Sequence, residues 1–260
     1  MIFGLVNLFM SQSEEMTLVE HLGELRRRII WVLAVFAVAV ILGLVAAKPI
    51  INYLKDVPPA NTIEWNVFSP WDALRIYMNF SFVIALVVSL PVTLYHIWAF
   101  VNPGLREEER KASLIYIPLA FLLFLSGLAF GYFVVFPMAF HFTTTLTRSL
   151  ELTETYGISQ YFSFMFNILI PLSLVFELPI VVMFLTKLRL LNPLRLKKMR
   201  KMAYMILVVV STIITPPDAV SDLIVFIPMI FLYEFSVFLS KVVYRKQLAR
   251  DMALEAEYGT

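Results

Sequence analysis

The sequence predicts an all-α, polytopic membrane protein: six transmembrane helices with both termini cytoplasmic, in a proline-bent bundle with a concave face. Three observations predict it. Of 260 residues, 60% are apolar and 15% charged, where a soluble domain has about 45–50% and about 25%; the mean hydropathy is +0.82. The apolar residues fall into six runs almost free of charge, which suits helices crossing lipid. Lys and Arg divide 17 to 4 between the two sets of connecting segments, and the richer set is cytoplasmic by the positive-inside rule. The same composition excludes function classes. A net charge of +2 is too small for a nucleic-acid binder that neutralises phosphates. A chain without cysteine has no disulfide framework, thiol nucleophile or thiolate-bound metal.

Residues 1–15 (MIFGLVNLFMSQSEE) form an N-terminal extension. Its apolar part lacks the basic flank and cleavage site of a signal peptide and is too short to span. It is an interfacial segment, or the true start is Met16. Residues 16–246 then make a single six-span domain, and 247–260 a cytoplasmic tail. Leu18, Leu22, Leu25 and Ile29 recur at helical spacing, an apolar stripe that lies along the interface and runs into the first span, 29–47. That span gives about 28 Å of helix against a hydrocarbon core of about 30 Å. The second span is 74–101, and Asp72, Arg75 and Asn79 make its opening too polar to lie fully in lipid. The third is 112–136 and the fourth 161–186. The fifth, 202–214, reaches only about 20 Å, and the sixth, 223–239, is also short. The outer loops are then 48–72, 137–160 and 215–222. Pro91, Pro118, Pro171, Pro179 and Pro228 fall within the runs. Each removes a backbone donor and favours a kink; singly each is ordinary in a membrane helix, and together they curve the bundle.

Few residues carry chemistry. Ahead of the first span, Glu20, Glu24 and Arg27 share one flank of a helix, with Arg28 one turn beyond Glu24. A solvated amphipathic turn with a Glu24–Arg28 pair explains them. After the second span, Asn102-Pro103-Gly104 forms a turn, and Glu107, Glu108 and Glu109 open the next helix, where acids favour the positive dipole end. Three acids on a basic face also suit a cationic ligand, since carboxylate and guanidinium pair through a bidentate fork. Inside the spans stand Glu177, beside Pro179, and Glu234. A carboxylate at that depth is costly and faces the bundle or a wet cavity, as a proton relay or as a hydrogen-bonded structural group. Glu234 is near enough to the cytoplasmic end to snorkel. Asp218, in the outer turn 215–218 (TPPD), caps the last helix. No phosphate-binding loop, His-Glu-x-x-His or Gly-x-Ser-x-Gly occurs, and His21, His96 and His141 lie far apart. The chain is therefore expected to be no enzyme and to need no cofactor or metal.

Taken together, several segments resemble the TatC family, the multispanning core subunit of the twin-arginine protein translocase. They are 21–28 (HLGELRRR), Ser69-Pro70, 90–100 (LPVTLYHIWAF) with Pro103 and Glu109-Arg110 beyond, 130–137 (FGYFVVFP), 176–179 (FELP), 215–218 (TPPD), and Ile227-Pro228 through Tyr233-Glu234. Their order covers all six spans. The resemblance implies a receptor in the cell membrane that binds the Arg-Arg signal peptide of folded precursor proteins and organises the translocation complex, driven by the proton-motive force. It implies that Glu24 and Glu109 bind the arginine pair, with Phe100 as an apolar contact and Glu107 and Glu108 as neighbouring acids, and that Glu177 is the buried span-four glutamate. It also implies single-span TatA- and TatB-type partners; self-association and the lipid bilayer complete the expected partners, with no nucleic acid. Two hypotheses follow: Glu24 and Glu109 form one anionic patch with little competing counterion, and the short fifth and sixth spans thin the bilayer or dock partners. The competing reading is a proton-coupled transporter of a small solute that uses Glu177. The absence of an internal repeat counts against it.

Overall fold

The structure, a computed structural model, describes residues 18–101, 114–215 and 219–258. Almost all of them are helical. Helix α1 (Leu18–Asp56) runs from the amphipathic stretch through the first apolar run without interruption. It then passes Pro49 and continues nine residues into the segment expected to be loop, because Ile51 and Leu54 pack into the core. A 3-10 turn (Ala60–Thr62) and a two-residue strand β1 (Trp65–Asn66) lead to α2 (Asp72–Val101). Asp72, 1% exposed, accepts hydrogen bonds from the backbone N–H groups of Phe68 and Ser69, both at 3.0 Å. Of the polar residues at the start of the second span, Asp72 is thus a buried cap, whereas Arg75 is exposed. Asn79 Nδ2 donates to Ser163 Oγ at 3.4 Å.

The third span is longer than its apolar run. Helix α3 (Tyr116–Phe130) passes through a π turn (Gly131–Val135) into α4 (Phe136–Ser149). Residues 137–149, expected as loop, are therefore helical. Their hydroxyls make this possible: Thr143, Thr144, Thr145, Thr147 and Ser149 each donate to a carbonyl one turn back, so a polar segment keeps its hydrogen bonds internal. Pro118 sits in the first turn of α3, where a missing N–H costs little. Strand β2 (Tyr156–Gly157) pairs in parallel with β1, Trp65 opposite Tyr156 and Asn66 opposite Gly157. This pairing ties the loop before α2 to the loop after α4.

The fourth span is broken in two. Helix α5 (Ile158–Phe176) ends at Glu177, and α6 (Leu178–Lys187) restarts with Pro179 in its first turn. After a short α7 (Pro193–Lys198), capped by Asn192 Oδ1 on the N–H of Leu194 at 2.9 Å, comes α8 (Arg200–Ile214). The last helix, α9 (Ala219–Tyr258), is 40 residues long and passes residue 246 without a break. Among the described residues, five helices are long and apolar enough to cross a membrane. Helix α8, the expected fifth span, is the short sixth one. The expectation of a short final span is corrected, because the helix continues far beyond the apolar run at 223–239.

Helices α5 and α6 form the centre. Half of the most apolar window of 158–187 is buried, against 11% of that of 22–56. Trp65 stacks on Phe162 with centroids 5.8 Å apart, and Phe80 meets Phe162 and Phe166 edge-on at 5.0 and 4.8 Å. Helix α1, with Leu33, Ile41 and Val45 exposed, presents its outer stripe to lipid. Two crossings require glycine. A Cβ on Gly43 would lie 2.8 Å from the carbonyl oxygen of Ser81 on α2, and one on Gly127 would lie 2.7 Å from Cα of Ser173 on α5. Small residues allow such close helix approach in lipid.

Candidate functional site

Glu24 and Phe100 come from segments far apart in sequence, and Arg28 joins them. One turn after Glu24 on α1, the Nε of Arg28 donates to Glu24 Oε1 at 2.9 Å, and its Nη2 contacts the same oxygen. Nη2 also donates to the backbone oxygen of Ala99 at 3.2 Å. Ala99 lies in the last turn of α2 beside the partly buried Phe100. Carbonyls at a helix C-terminus lack intrahelical donors and sit at the negative dipole end, so a guanidinium suits both demands. Glu24 Oε2 is buried and has no hydrogen-bond partner among the described residues. Among the described residues Glu24 is thus one-sided, with Oε1 alone engaged. The expectation of little competing counterion is corrected, since Arg28 is that counterion. The Glu24–Arg28 spacing had signalled the pair; its tie to α2 had no signal in sequence. Glu107, Glu108 and Glu109 lie outside the described residues, as does Asp218.

Glu177 stands at the α5–α6 break and is 8% exposed. Neither of its carboxylate oxygens has a hydrogen-bond partner among the described residues. Pro179 explains the break, because it supplies no N–H to the last turn of α5. Glu234 is different. It accepts from Arg200 Nη2 at 2.5 Å and from Tyr204 Oη at 2.6 Å, both on α8. The neighbouring Tyr233 donates to the backbone oxygen of Leu196 at 2.8 Å. Glu234 is therefore a strut between α9 and the α7–α8 segment, not a snorkelling carboxylate. Arg200 and Tyr204, one helical turn apart on α8, were the unused signal for it.

On the side of the β1–β2 pairing, a cavity of about 560 Å³ is lined by residues including Glu64, Asn66, His141, Arg148, Glu154 and Tyr156. Arg148 Nε donates to Glu154 Oε1 at 2.6 Å. Burial, then the neighbouring Glu154 carboxylate, push the Tyr156 phenol above its ordinary value. Among the described residues, no group of His, Asp and Glu is placed to hold a metal ion.

Comparison with known proteins decides among the readings. The family described as Sec-independent protein translocase protein (TatC) matches residues 20–228. The chain belongs to the TatC family. TatC of Halalkalibacterium halodurans is 45% identical over 246 residues, covering 95% of this chain and 97% of its own. TatCy of Bacillus subtilis is 44% identical over 232 residues, covering 89% and 91%. A crystal structure of the twin arginine translocase receptor TatC superposes with a TM-score of 0.74 at 31% identity, covering 86% of this chain and 99% of that one. TatC proteins are multispanning translocase components rather than enzymes, and the same holds for this chain. The TatC match also sets aside the small-solute transporter. Within it fall Glu24, the three acids at 107–109, Glu177 and Asp218, whereas Glu234 lies beyond its end.

Proposed function

We propose that the chain is the core receptor of a twin-arginine export system and reads the Arg-Arg signal of folded precursors at Glu24, together with Glu109 and its neighbours Glu107 and Glu108. Phe100 contributes an apolar contact beside the arginine pair. The observation that carries this is the carboxylate of Glu24, which already binds a guanidinium at the junction of α1 with the end of α2. From that junction the chain enters the segment containing the three acids. Such a carboxylate recognises arginine through charge and fork geometry together, which lysine does not reproduce.

The reading includes an orientation. The side with 17 Lys and Arg residues, which carries both termini, faces the cytoplasm of the cell membrane. The system further comprises single-span TatA- and TatB-type subunits and draws on the proton-motive force, in keeping with the lack of a nucleotide-binding motif. A photo-crosslinking signal peptide added to inverted and to right-side-out membrane vesicles tests both parts. Crosslinking is expected in inverted vesicles only, and Glu24→Ala with Glu109→Ala reduces it about tenfold or more, as for loss of charge-assisted contacts. Undiminished crosslinking in the double variant contradicts the site, and crosslinking from the other face contradicts the orientation.

A further inference from the structure

Within the chain itself, Glu24 already meets the chemistry that a signal would bring, a guanidinium. Resting on the signal-binding reading above, we propose that Arg28 is a specificity-determining internal competitor: it occupies Glu24 until a ligand displaces it. The threshold it sets separates an arginine pair from weaker cations.

The geometry supplies three reasons. The pair has Glu N-terminal to Arg by four residues, the favoured orientation on a helix. A single incoming cation therefore only replaces an interaction that Glu24 already has. A net gain needs a second charge, a better fork or added contacts, and discrimination comes from this difference rather than from raw affinity. Next, Arg28 has somewhere to go. Its Nη2 keeps the Ala99 carbonyl at 3.2 Å, where the C-terminal end of α2 favours a cation, so leaving Glu24 does not strand a buried charge. Finally, Arg28 engages only Oε1, while Oε2 is buried without a partner among the described residues. An ionised carboxylate has acceptor sites on both oxygens, so Glu24 keeps acceptor capacity that Arg28 does not use, and an incoming guanidinium takes up both oxygens as Arg28 retires to Ala99. Arg26 and Arg27 are exposed on the same helix and supply the local positive field that a ligand must also overcome.

The test uses the full chain in lipid nanodiscs and two synthetic signal peptides, identical except for Arg-Arg or Lys-Lys. Binding constants are measured for the wild type, Arg28→Gln, Arg28→Lys and Glu24→Gln. Arg28→Gln is expected to tighten Arg-Arg binding by roughly two- to tenfold, the range for freeing a helical ion pair in partly buried surroundings. The Lys-Lys peptide gains by a larger factor, so the preference for arginine narrows. Arg28→Lys, which preserves charge and fold but not the fork, shifts both values in the same direction by less. Equal weakening of both peptides by Arg28→Gln, or an unchanged Arg-to-Lys preference in both Arg28 variants, overturns the proposal. If Glu24→Gln binds the Arg-Arg peptide as the wild type does, the underlying signal-binding reading fails instead, and the competitor role with it.

Discussion

Three acidic residues show how surroundings assign roles to one functional group. Glu234 is satisfied on both oxygens by Arg200 and Tyr204 and works as a strut. Glu24 is satisfied on one oxygen only among the described residues, which is the basis of the proposed exchange. Glu177 is satisfied on neither among the described residues, although a buried polar group without a partner costs about 1–3 kcal/mol. On that count its carboxylate adds nothing to stability. Glu177→Met, which fills the same space with an apolar chain, is expected to leave the melting temperature of the purified protein unchanged or raise it. Glu234→Met is expected to lower it, because Arg200 and Tyr204 lose their acceptor. Thermal unfolding in detergent reads both, and a fall for Glu177→Met contradicts the assignment.

At the scale of elements, α8 stands apart. Its 15 residues make about 22 Å of helix, short of a hydrocarbon core of about 30 Å. The bilayer must thin beside it or other helices must cover it, at a cost of fractions of a kcal/mol per Å. We expect that lengthening α8 by one turn lowers export of a twin-arginine substrate severalfold, since mismatch at this helix is then removed. Undiminished export by the lengthened variant counts against a role for its shortness. Which elements were legible follows the physics of the signals. The second and fourth spans were read nearly to their ends because charge within them is confined to Arg75 and Glu177 and returns sharply beyond them. The outer half of the third span was not, since Thr143, Thr144 and Thr145 read as loop until their hydroxyls are seen bonded back along the helix. The π turn at Gly131–Val135 leaves apolar periodicity intact, and the β1–β2 pairing is too short to make an alternating pattern. Of the site, Glu24 and its i+4 arginine were visible in sequence. The reach of Arg28 to Ala99 joins residues 71 apart, and no local pattern encodes it.

At the scale of the molecule, charge and apolar surface divide the work. The apolar majority meets lipid along α1 and closes around α5, with Phe162, Ile168 and Leu172 fully buried. On the proposed reading, scarce charge sets orientation and, through a few acids on the basic side, recognition. The proposal of ligand exchange at Glu24 places recognition at one interface and leaves the remaining spans as scaffold. Whether this interface reads an arginine pair for protein export is decided in living cells. A folded fluorescent reporter with an Arg-Arg signal is expressed in cells whose own receptor is replaced by this chain with its cognate single-span subunits, and the exported fraction is counted. The wild-type chain is expected to export the reporter, and Glu24→Gln with Glu109→Gln to reduce export at least tenfold while the protein remains in the membrane at normal levels. Equal export by the double variant would contradict the account.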